Sequence, residues 1–318
     1  MGNRVTVLMS TYNGEKYVGE QIDSILAQKD VDVHLDIRDD GSSDSTVDII
    51  KKYDDKYDNI HFSAGESLGV GRSFMKLLYE ASDSDYYAFA DQDDYWYDDK
   101  LCVAIEALQE YSDKPTLYCC NQNIVDSDRN FRKIRFPEDL RISGCITGVF
   151  HNFYAGCTMV MNRSLRNILV DSDRMPPLDF FERRIHDAWV NCVGSLVGKV
   201  IFDNEPHMDF RRHGSAYSDE FVPNQKGRSI TRRYFHKFKR FIKRGIKTRH
   251  KGCLQTARAL LKYYDDYLDE KMRKQLRLIA NYDNSVRDKF ALLNSNLIDE
   301  YVLSDKFLVR VKIFFEIL

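Results

Sequence analysis

The 318-residue sequence lacks several patterns that would place it in a familiar class at once. It has no run of 18 apolar residues, so we expect no transmembrane helix. Its seven cysteines are scattered and include no Cys-x-x-Cys pair, which favours reduced thiols over a disulfide framework. The first residues reach charge at once and lack a cleavage-site pattern, so we expect no secretory signal. These absences favour a cytoplasmic protein.

Two common phosphate-binding motifs are also missing. No Gly-x-Gly-x-x-Gly follows the first predicted strand, which argues against a dinucleotide-binding dehydrogenase. No Gly-x-x-x-x-Gly-Lys-Ser/Thr occurs, which argues against a P-loop enzyme. Apolar residues make up 43% of the chain, which is enough for a packed core and excludes a wholly disordered protein.

Charge is distributed unevenly, although the net formal charge is only −2. Residues 1–225 carry 24 Lys and Arg against 39 Asp and Glu, whereas residues 226–318 carry 23 against 10. The first part is therefore acidic and the second basic, which predicts two regions with different partners. We expect a catalytic or binding domain over residues 1–225 and a basic helical C-terminal region over residues 226–318 that contacts a membrane or another subunit.

The first hundred residues alternate between strand and helix patterns. Short apolar runs predict strands, and each is followed by apolar residues at helical spacing. Strands are predicted at 5–9, 33–37, 60–62 and 86–90, and helices at 22–26, 47–50 and 69–81. The alternation predicts an α/β fold with a mainly parallel sheet flanked by helices.

Polar clusters follow three of these strands, at residues 11–13, 39–43 and 91–94. Ligands of such sheets bind beyond the carboxyl ends of the strands, so we expect the clusters to form one site. Residues 91–94 place three carboxylates in four positions, which repel one another unless a cation or solvent compensates. Such ligands suit Mg²⁺ or Mn²⁺ with phosphates completing the shell. The alternative is a solvated cap for the next helix.

The cluster that begins at Asp39 also permits two interpretations. Asp-Gly forms turns, and Ser43 or Asp44 can cap the following helix, so part of this loop is structural. The additional acid, Asp39 or Asp40, is suited to accept hydrogen bonds from a base or a ribose.

The sequence resembles the family 2 glycosyltransferases of the GT-A fold in five ordered motifs. They are Val-Leu-Met-Ser-Thr-Tyr-Asn-Gly at 7–14, Asp-Asp-Gly-Ser-Ser-Asp-Ser-Thr at 39–46, Phe-Ala-Asp-Gln-Asp-Asp-Tyr-Trp at 89–96, His-Asp-Ala-Trp at 186–189 and Arg-Arg-His-Gly at 211–214. The third and fourth motifs are similar to the rhamnosyltransferase-like branch of bacterial polysaccharide synthesis. The resemblance covers about residues 4–215 and leaves out the basic C-terminal region.

This resemblance implies a nucleotide-diphospho-sugar donor and a bound Mn²⁺ or Mg²⁺. The residues implied or suited for donor contacts are Thr11, Tyr12, Asn13, Asp39, Asp40, Asp91 and Arg211. The candidate metal ligands are Asp91, Asp93, Asp94 and His213, of which His213 is also suited to contact the diphosphate. By branch resemblance, dTDP-rhamnose is the leading donor, followed by UDP-hexoses, and the acceptor is a glycan of a capsule or cell wall.

The acceptor hydroxyl is a poor nucleophile, so a carboxylate base on the opposite face of the sugar is useful. Asp187 is our candidate, on a helix predicted at 185–196, and attack from that face inverts the anomeric centre. The alternative is that His186 and Asp187 cap this helix while Trp189 packs in the core.

Two other functions are compatible with an α/β scaffold. A nucleotidyltransferase usually has a Gly-rich, basic phosphate loop after its first strand, whereas residues 11–15 read Thr-Tyr-Asn-Gly-Glu. A non-catalytic sugar-nucleotide-binding protein would not need the complete set of acids. We therefore favour glycosyl transfer over both.

Residues 226–251 hold twelve Lys and Arg interleaved with aromatic and aliphatic residues at helical spacing. The segment is interpreted as a solvated helix on the acidic domain, an amphipathic helix on anionic lipid, or a nucleic-acid contact. We favour lipid at the inner face of the plasma membrane, because many polysaccharide acceptors are lipid-linked. We expect no nucleic-acid partner, because no recognisable nucleic-acid-binding motif accompanies the segment.

Overall fold

The computed structural model describes residues 2–136, 144–182, 186–213, 252–303 and 305–315. They form two compact units, one ending at Arg211 and one beginning at Arg212. The boundary predicted at residue 225 and the basic segment 226–251 lie outside the described residues. Within the described ranges, no helix combines the length and apolar character needed to cross a bilayer.

The first unit begins with the alternation that the sequence predicts. Its first elements are β1 (Asn3–Thr11), α1 (Val18–Leu26), β2 (Val31–Asp39), α2 (Thr46–Asp54), β3 (Ile60–Ala64), α3 (Val70–Glu80), β4 (Tyr86–Asp91), β5 (Tyr95–Trp96) and α4 (Lys100–Gln109). The remaining elements are β6 (Thr116–Val125), β7 (Phe131–Ile134), α5 (Cys145–Phe150), β8 (Met159–Asn162), α6 (Arg163–Leu169), α7 (His186–Val197) and β9 (Lys199–Arg211). Short 3-10 helices span Gly156–Thr158 and Leu178–Glu182.

The nine strands of the described residues form one sheet in the order β3-β2-β1-β4-β8-β6-β9-β5, and β7 pairs with β6. The first four strands of this order are parallel, as are β6 and β9. Strand β8 runs antiparallel between β4 and β6. Only residues 92–94 separate β4 from β5, yet β5 pairs with β9 at the far end of the order, so the sheet curls back onto the end of β4.

The central strands explain why the first unit is stable. Strand β4 is buried along almost its whole length, and β1 is buried from Val5 to Met9. Ile22 and Ile25 of α1 pack into the same core as Val5, Val7 and Met9. Burying each such side chain contributes about 1.5–3 kcal/mol to the stability of the fold. The strands that carry the polar clusters at their ends are therefore held firmly in place.

The second unit is helical in the residues that the structure describes. Its helices are α8 (Gly252–Tyr263), α9 (Glu270–Asn281), α10 (Val286–Leu293), α11 (Leu297–Tyr301) and α12 (Lys306–Phe314). Side-chain caps begin three of them, because Asp269, Ser285 and Asp305 each accept a hydrogen bond from the backbone amide three residues later. The helical character that the sequence predicts for the C-terminal region is therefore confirmed in these described residues.

Candidate active site at the strand ends

The carboxyl ends of the central strands meet at one edge of the sheet. In the register of β1 with its neighbours, Thr11 lies opposite Asp39 of β2, and Ser10 lies opposite Asp91 of β4. The three polar clusters that the sequence places at strand ends therefore converge, as expected for a ligand site in a sheet of this kind.

The loop after β1 is tied to the loop after β2 by reciprocal hydrogen bonds. Asn13 adopts a φ of 47°, and its Oδ1 accepts from the Ser43 amide at 2.8 Å. The Asn13 amide donates to Ser42 Oγ, and the Gly14 amide donates to Thr46 Oγ1, both at 2.8 Å. Two loops distant in sequence thus form one rigid wall of the site.

Gln92 joins the first loop to the acidic residues after β4. Its carboxamide exchanges two hydrogen bonds with the backbone of Tyr12, accepting from the amide and donating to the carbonyl, both at 2.9 Å. This approach requires Gly14, where a Cβ would lie 2.2 Å from Gln92 Oε1. The Tyr12 side chain is 55% exposed, so its ring is open to a ligand.

Asp39 is buried and accepts hydrogen bonds on both of its oxygens. Thr11 Oγ1 donates at 2.9 Å and Ser42 Oγ at 2.5 Å to Oδ2. The amides of Gly41 and Ser42 donate to Oδ1 at 3.0 and 2.8 Å. The carboxylate therefore holds the turn that the Asp-Gly pair predicts.

Asp40 is also buried and is surrounded by donors. The Arg38 guanidinium lies 2.5 Å from Oδ1, and the amides of Leu68 and Gly69 donate to Oδ1 and Oδ2, both at 2.7 Å. Ser67 Oγ adds a bond of 3.3 Å to Oδ2. A contact between Asp40 and a nucleotide base would use the lone pairs that these bonds leave over.

Residues 65–69 have the spacing Gly-x-Ser-x-Gly and connect β3 to α3, a context in which some hydrolases carry a nucleophilic serine. Here the Ser67 hydroxyl donates a hydrogen bond to Asp40, and the backbone of Ser67 does not have a positive φ. The serine therefore supports the carboxylate and lacks the strained backbone of a nucleophile.

The acids after β4 are held very differently. One ligand atom from each of Asp91, Asp94 and Cys157 lies within 4.8 Å of the others. Asp94 Oδ1 accepts from the Arg211 amide at 3.2 Å, whereas Oδ2 is buried without a well-placed hydrogen-bond donor among the described residues. Gln122 Nε2 donates to Cys157 Sγ at 3.3 Å. The cluster thus has more acceptors than donors.

Burial and mutual repulsion raise the pKa values of these groups. The pKa of Asp91 is raised first by burial and then by the charge of Asp93, with a smaller contribution from Asp187. The pKa of Asp94 is raised by burial and by the charges of Asp91 and Asp93. Burial beside the two carboxylates likewise raises the pKa of the Cys157 thiol. A proton or a cation is needed to relieve this repulsion.

Asp93 is partly buried, and its backbone is anchored by Arg211 at the end of β9. Arg211 Nε donates to the Asp93 carbonyl at 3.0 Å, and the other two guanidinium nitrogens donate to the Ser127 carbonyl at 3.0 Å and to Glu20 Oε2 at 2.5 Å. Each nitrogen of Arg211 is thus engaged within the protein, and a contact with a diphosphate would use its remaining hydrogens.

Asp187 lies in the first turn of α7, where it is 6% exposed and within electrostatic reach of Asp91. The neighbouring His186 stacks on Phe74, with ring centroids 4.1 Å apart, and meets the edge of Phe89 at 4.8 Å. Neither ring nitrogen has a hydrogen-bond partner among the described residues, and burial lowers the pKa of His186 to about 4. His186 is therefore a neutral packing residue beside Asp187.

His213 is partly buried and is the second residue of the helical unit. Its predicted role as a metal ligand or diphosphate contact stays a prediction. Trp189 packs fully buried in the first unit, as the structural interpretation of its motif expects.

The residues after β4 fit a divalent cation. Their surplus of acceptors, the orphaned Asp94 Oδ2 and the raised pKa values all indicate a place where positive charge is missing. Carboxylate oxygens suit Mg²⁺ and Mn²⁺, and the nearby thiol also tolerates the softer of the two.

Comparisons with known proteins agree with this geometry. Residues 6–169, just over half of the chain, match the model of glycosyl transferase family 2. The chain belongs to glycosyl transferase family 2. The resemblance noted in the motifs is thereby confirmed at the level of the family.

Three curated relatives illustrate the range within the family. The dTDP-rhamnosyl transferase RfbG of Shigella flexneri is 42% identical over 105 residues, covering 31% of this chain and 36% of that protein. The putative teichuronic acid biosynthesis glycosyltransferase TuaG of Bacillus subtilis is 30% identical, covering 49% of this chain and 61% of that protein. An uncharacterized glycosyltransferase of Nostoc sp. is 26% identical, covering 82% and 83%. The chain thus spans about a third of RfbG and under two thirds of TuaG.

Solved structures confirm the GT-A type of fold. TarS 1-349 of S. aureus in complex with UDP-GlcNAc superposes with a TM-score of 0.59 at 16% identity, covering 99% of this chain and 82% of that chain. The mannosyltransferase PcManGT of Pyrobaculum calidifontis, in complex with GDP-Man and Mn²⁺, gives 0.52 at 14% identity, covering 98% and 79%.

Sequence reasoning missed several residues of the candidate site. Gln92 stood inside the acidic motif but carried no charge, and Cys157 lies 63 residues further along the chain from Asp94. Glu20 is brought to its two partners, Arg129 and Arg211, only by the fold. A charged residue on the first turn of the helix after β1 was the one available signal for Glu20.

Proposed function

We propose that this protein is an inverting, metal-dependent glycosyltransferase that moves a sugar from a nucleotide-diphospho-sugar to a hydroxyl group of a surface-glycan acceptor. The observation that carries the proposal is the partly buried acid cluster at the end of β4, which has more acceptors than donors, in a chain of family 2. Departure of a nucleotide diphosphate generates negative charge, and a site that lacks positive charge is suited to recruit the cation that stabilises it.

The residues of the two loop clusters are assigned to the donor. Thr11, Tyr12 and Asn13 face it from the first loop and Asp39 and Asp40 from the second, where hydrogen bonds fix both loops in advance of binding. The rigidity of these loops supports the assignment, because a pre-organised site loses less entropy on binding. Asp91 and Arg211 complete the predicted contacts with ribose and diphosphate.

Asp91, Asp93 and Asp94 are assigned to hold the cation, and His213 remains a further candidate. A bound Mn²⁺ or Mg²⁺ would neutralise charge on the departing diphosphate. Asp187 accepts the proton of the acceptor hydroxyl. At the same time the hydroxyl oxygen bonds to the anomeric carbon of the sugar, and the bond from that carbon to the diphosphate breaks. Attack from the face opposite the diphosphate inverts the configuration.

The donor is assigned as dTDP-rhamnose, with UDP-hexoses as the second choice. The motif resemblance and the local identity with RfbG support rhamnose, while TuaG is named for teichuronic acid, a different glycan. A thermal-shift screen of nucleotide sugars with Mn²⁺, followed by mass spectrometry of the products, tests the assignment. Binding without transfer to any glycan or water would identify a sugar-nucleotide-binding protein instead.

Replacing Asp187 tests the proposed base. Asp187→Asn should reduce transfer at least about 100-fold, because base catalysis contributes about 10²–10⁴-fold, while calorimetry shows unchanged donor binding. Transfer at the normal rate by this variant would place the base elsewhere.

We also propose that the protein works at the inner face of the plasma membrane, bound through residues 226–251. The concentration of twelve basic residues in this segment supports attraction to anionic lipid. Co-sedimentation should require anionic vesicles and weaken with salt. Equal pelleting with neutral vesicles would reject this part of the proposal.

A further inference from the structure

Glu20 lies between two arginines that no local sequence pattern joins to it. It stands in the first turn of α1, directly behind the loop that follows β1. Its Oε2 pairs with Arg211 at 2.5 Å and its Oε1 with Arg129 at 3.1 Å. Although its partial burial works in the other direction, these two arginines hold the pKa of Glu20 below its ordinary value. Glu20 is therefore a charged bridge between them.

Arg211 carries this bridge to the acid cluster. Its Nε donates to the Asp93 carbonyl and its backbone amide donates to Asp94 Oδ1. Its guanidinium also lies over the Tyr17 ring, 4.4 Å from the ring centroid, and its side chain is 4% exposed. Arg211 therefore contacts two consecutive residues of the acidic segment from the buried side.

Arg129 holds the other end. Its Nε donates to Asp209 Oδ2 at 3.0 Å, and its guanidinium lies over the Tyr95 ring at 3.3 Å from the centroid. Arg129 adopts a φ of 61°, a left-handed conformation that costs a residue with a side chain about 1–3 kcal/mol. The turn between β6 and β7 is thus strained at Arg129, and in this conformation the guanidinium lies between Glu20 and β9.

Asp209 extends the same network to the residues after β5. Its Oδ1 accepts from the Tyr97 hydroxyl at 2.6 Å, and that hydroxyl accepts from Asn123 Nδ2 at 2.7 Å. Residues on both sides of the short β5 strand are therefore fixed by charged or hydrogen-bonded partners. The acidic segment leads directly into this strand.

We propose that Glu20 is a positioning residue of the cation site: it holds Arg211, and through it the backbone of Asp93 and Asp94, in the geometry that binds the metal. The inference rests on the proposed metal-dependent function. Three carboxylates that repel one another would move apart without an anchor on their backbone. Arg211 supplies that anchor, and without Glu20 one of its three nitrogens loses its acceptor while a buried cation loses its counter-charge.

The test measures Mn²⁺ binding to the full chain, in the absence of any sugar donor, by electron paramagnetic resonance or calorimetry. Glu20→Ala should weaken Mn²⁺ binding about tenfold, as is common when a partner behind a metal ligand is removed. Glu20→Gln retains an acceptor oxygen for one arginine and should fall between Glu20→Ala and the wild type. Glu80→Gln, which changes an exposed carboxylate paired with Lys76 on α3, is the matched control.

Steady-state kinetics provide a second measurement. Weaker cation binding should raise the Mn²⁺ concentration needed for half-maximal donor turnover, and saturating Mn²⁺ should restore most of kcat in Glu20→Gln. A folded Glu20→Ala variant that binds Mn²⁺ within twofold of the wild type overturns the inference and leaves the proposed function intact. A wild-type protein that binds no Mn²⁺ overturns the metal site and the inference with it.

Discussion

The two acidic clusters of this protein lie at the same edge of one sheet, yet they are stabilised in opposite ways. Asp39 at the end of β2 and Asp40 just beyond it accept hydrogen bonds on both carboxylate oxygens from amides, hydroxyls and Arg38. Asp91 at the end of β4 and Asp94 just beyond it lie close together with raised pKa values, and Asp94 Oδ2 has no well-placed hydrogen-bond donor among the described residues.

This difference distinguishes carboxylates that the fold holds in place from carboxylates that need a cation. A carboxylate that accepts hydrogen bonds from its own chain on both oxygens fixes the conformation of a loop before any ligand binds. A buried carboxylate with unsatisfied oxygens costs stability, which a fold tolerates where a cation arrives. The first cluster therefore forms the wall of the site, and the second forms the part that needs charge.

The largest expected effect on stability comes from a substitution in the first cluster, the one that contains Asp39 and Asp40. Asp40→Asn should destabilise the protein by about 3 kcal/mol, because it leaves the buried Arg38 guanidinium without its counter-charge and turns one oxygen acceptor into a donor facing amides. Thermal or urea unfolding measures the change. An unfolding free energy equal to that of wild type would show that this cluster does not hold the loop.

The next effect extends the comparison to His186, another buried ionisable side chain, whose ring nitrogens have no hydrogen-bond partner in the described part of the chain. Burial lowers its pKa to about 4 in the folded state, so the unfolded chain binds a proton first as the pH falls. The histidine's contribution to stability is present at neutral pH and is lost as the pH falls from about 6.5 toward 4, by roughly 3 kcal/mol in full.

His186→Leu should therefore lose less stability than the wild type between pH 7 and pH 4.5. The difference between the two pH values is the quantity to compare, since the leucine also changes packing on Phe74. Parallel pH profiles for the variant and the wild type would contradict the buried, neutral histidine.

The smallest effect has the opposite sign from the first. Asp94→Asn should stabilise the metal-free protein at pH 8 by about 1 kcal/mol, or about 2–4 °C in Tm, because it removes a buried charge from a repelling cluster. Since burial raises the pKa of Asp94, the cost of its charge grows as the pH rises, and the gain should shrink in acid. A Tm for Asp94→Asn below that of the wild type at pH 8 would show that the charge of Asp94 does not destabilise the protein. That result would contradict the contrast between the two clusters.

Local pattern was enough to predict the alternating elements and the positions of the strand ends. The apolar runs at β1, β2 and β4 are each flanked by turn residues, so period and punctuation agree. Where the pattern was short, it was less informative. The short run at residues 156–161 divides between two conformations, because Gly156–Thr158 forms a 3-10 helix before β8 begins at Met159.

Contacts between distant residues were beyond the reach of the sequence. Strand β9 extends to Arg211, although only its apolar start, at residues 199–202, has strand spacing, because pairing with β6 and β5 supplies its hydrogen bonds. Glu20 and Arg211 are 191 residues apart. Since a single sequence carries no signal for such a pair, the anchoring of the acid cluster became visible only in the fold.

The central claim is that the acids after β4 bind a divalent cation. Mn²⁺ binding, measured by electron paramagnetic resonance on wild-type protein, Asp93→Ala and the surface control Glu80→Gln, tests it most directly. We expect one bound Mn²⁺ per chain in the wild type and the control, and binding at least about tenfold weaker in Asp93→Ala. Equal binding by Asp93→Ala and the wild type, or no binding by either, would contradict the account.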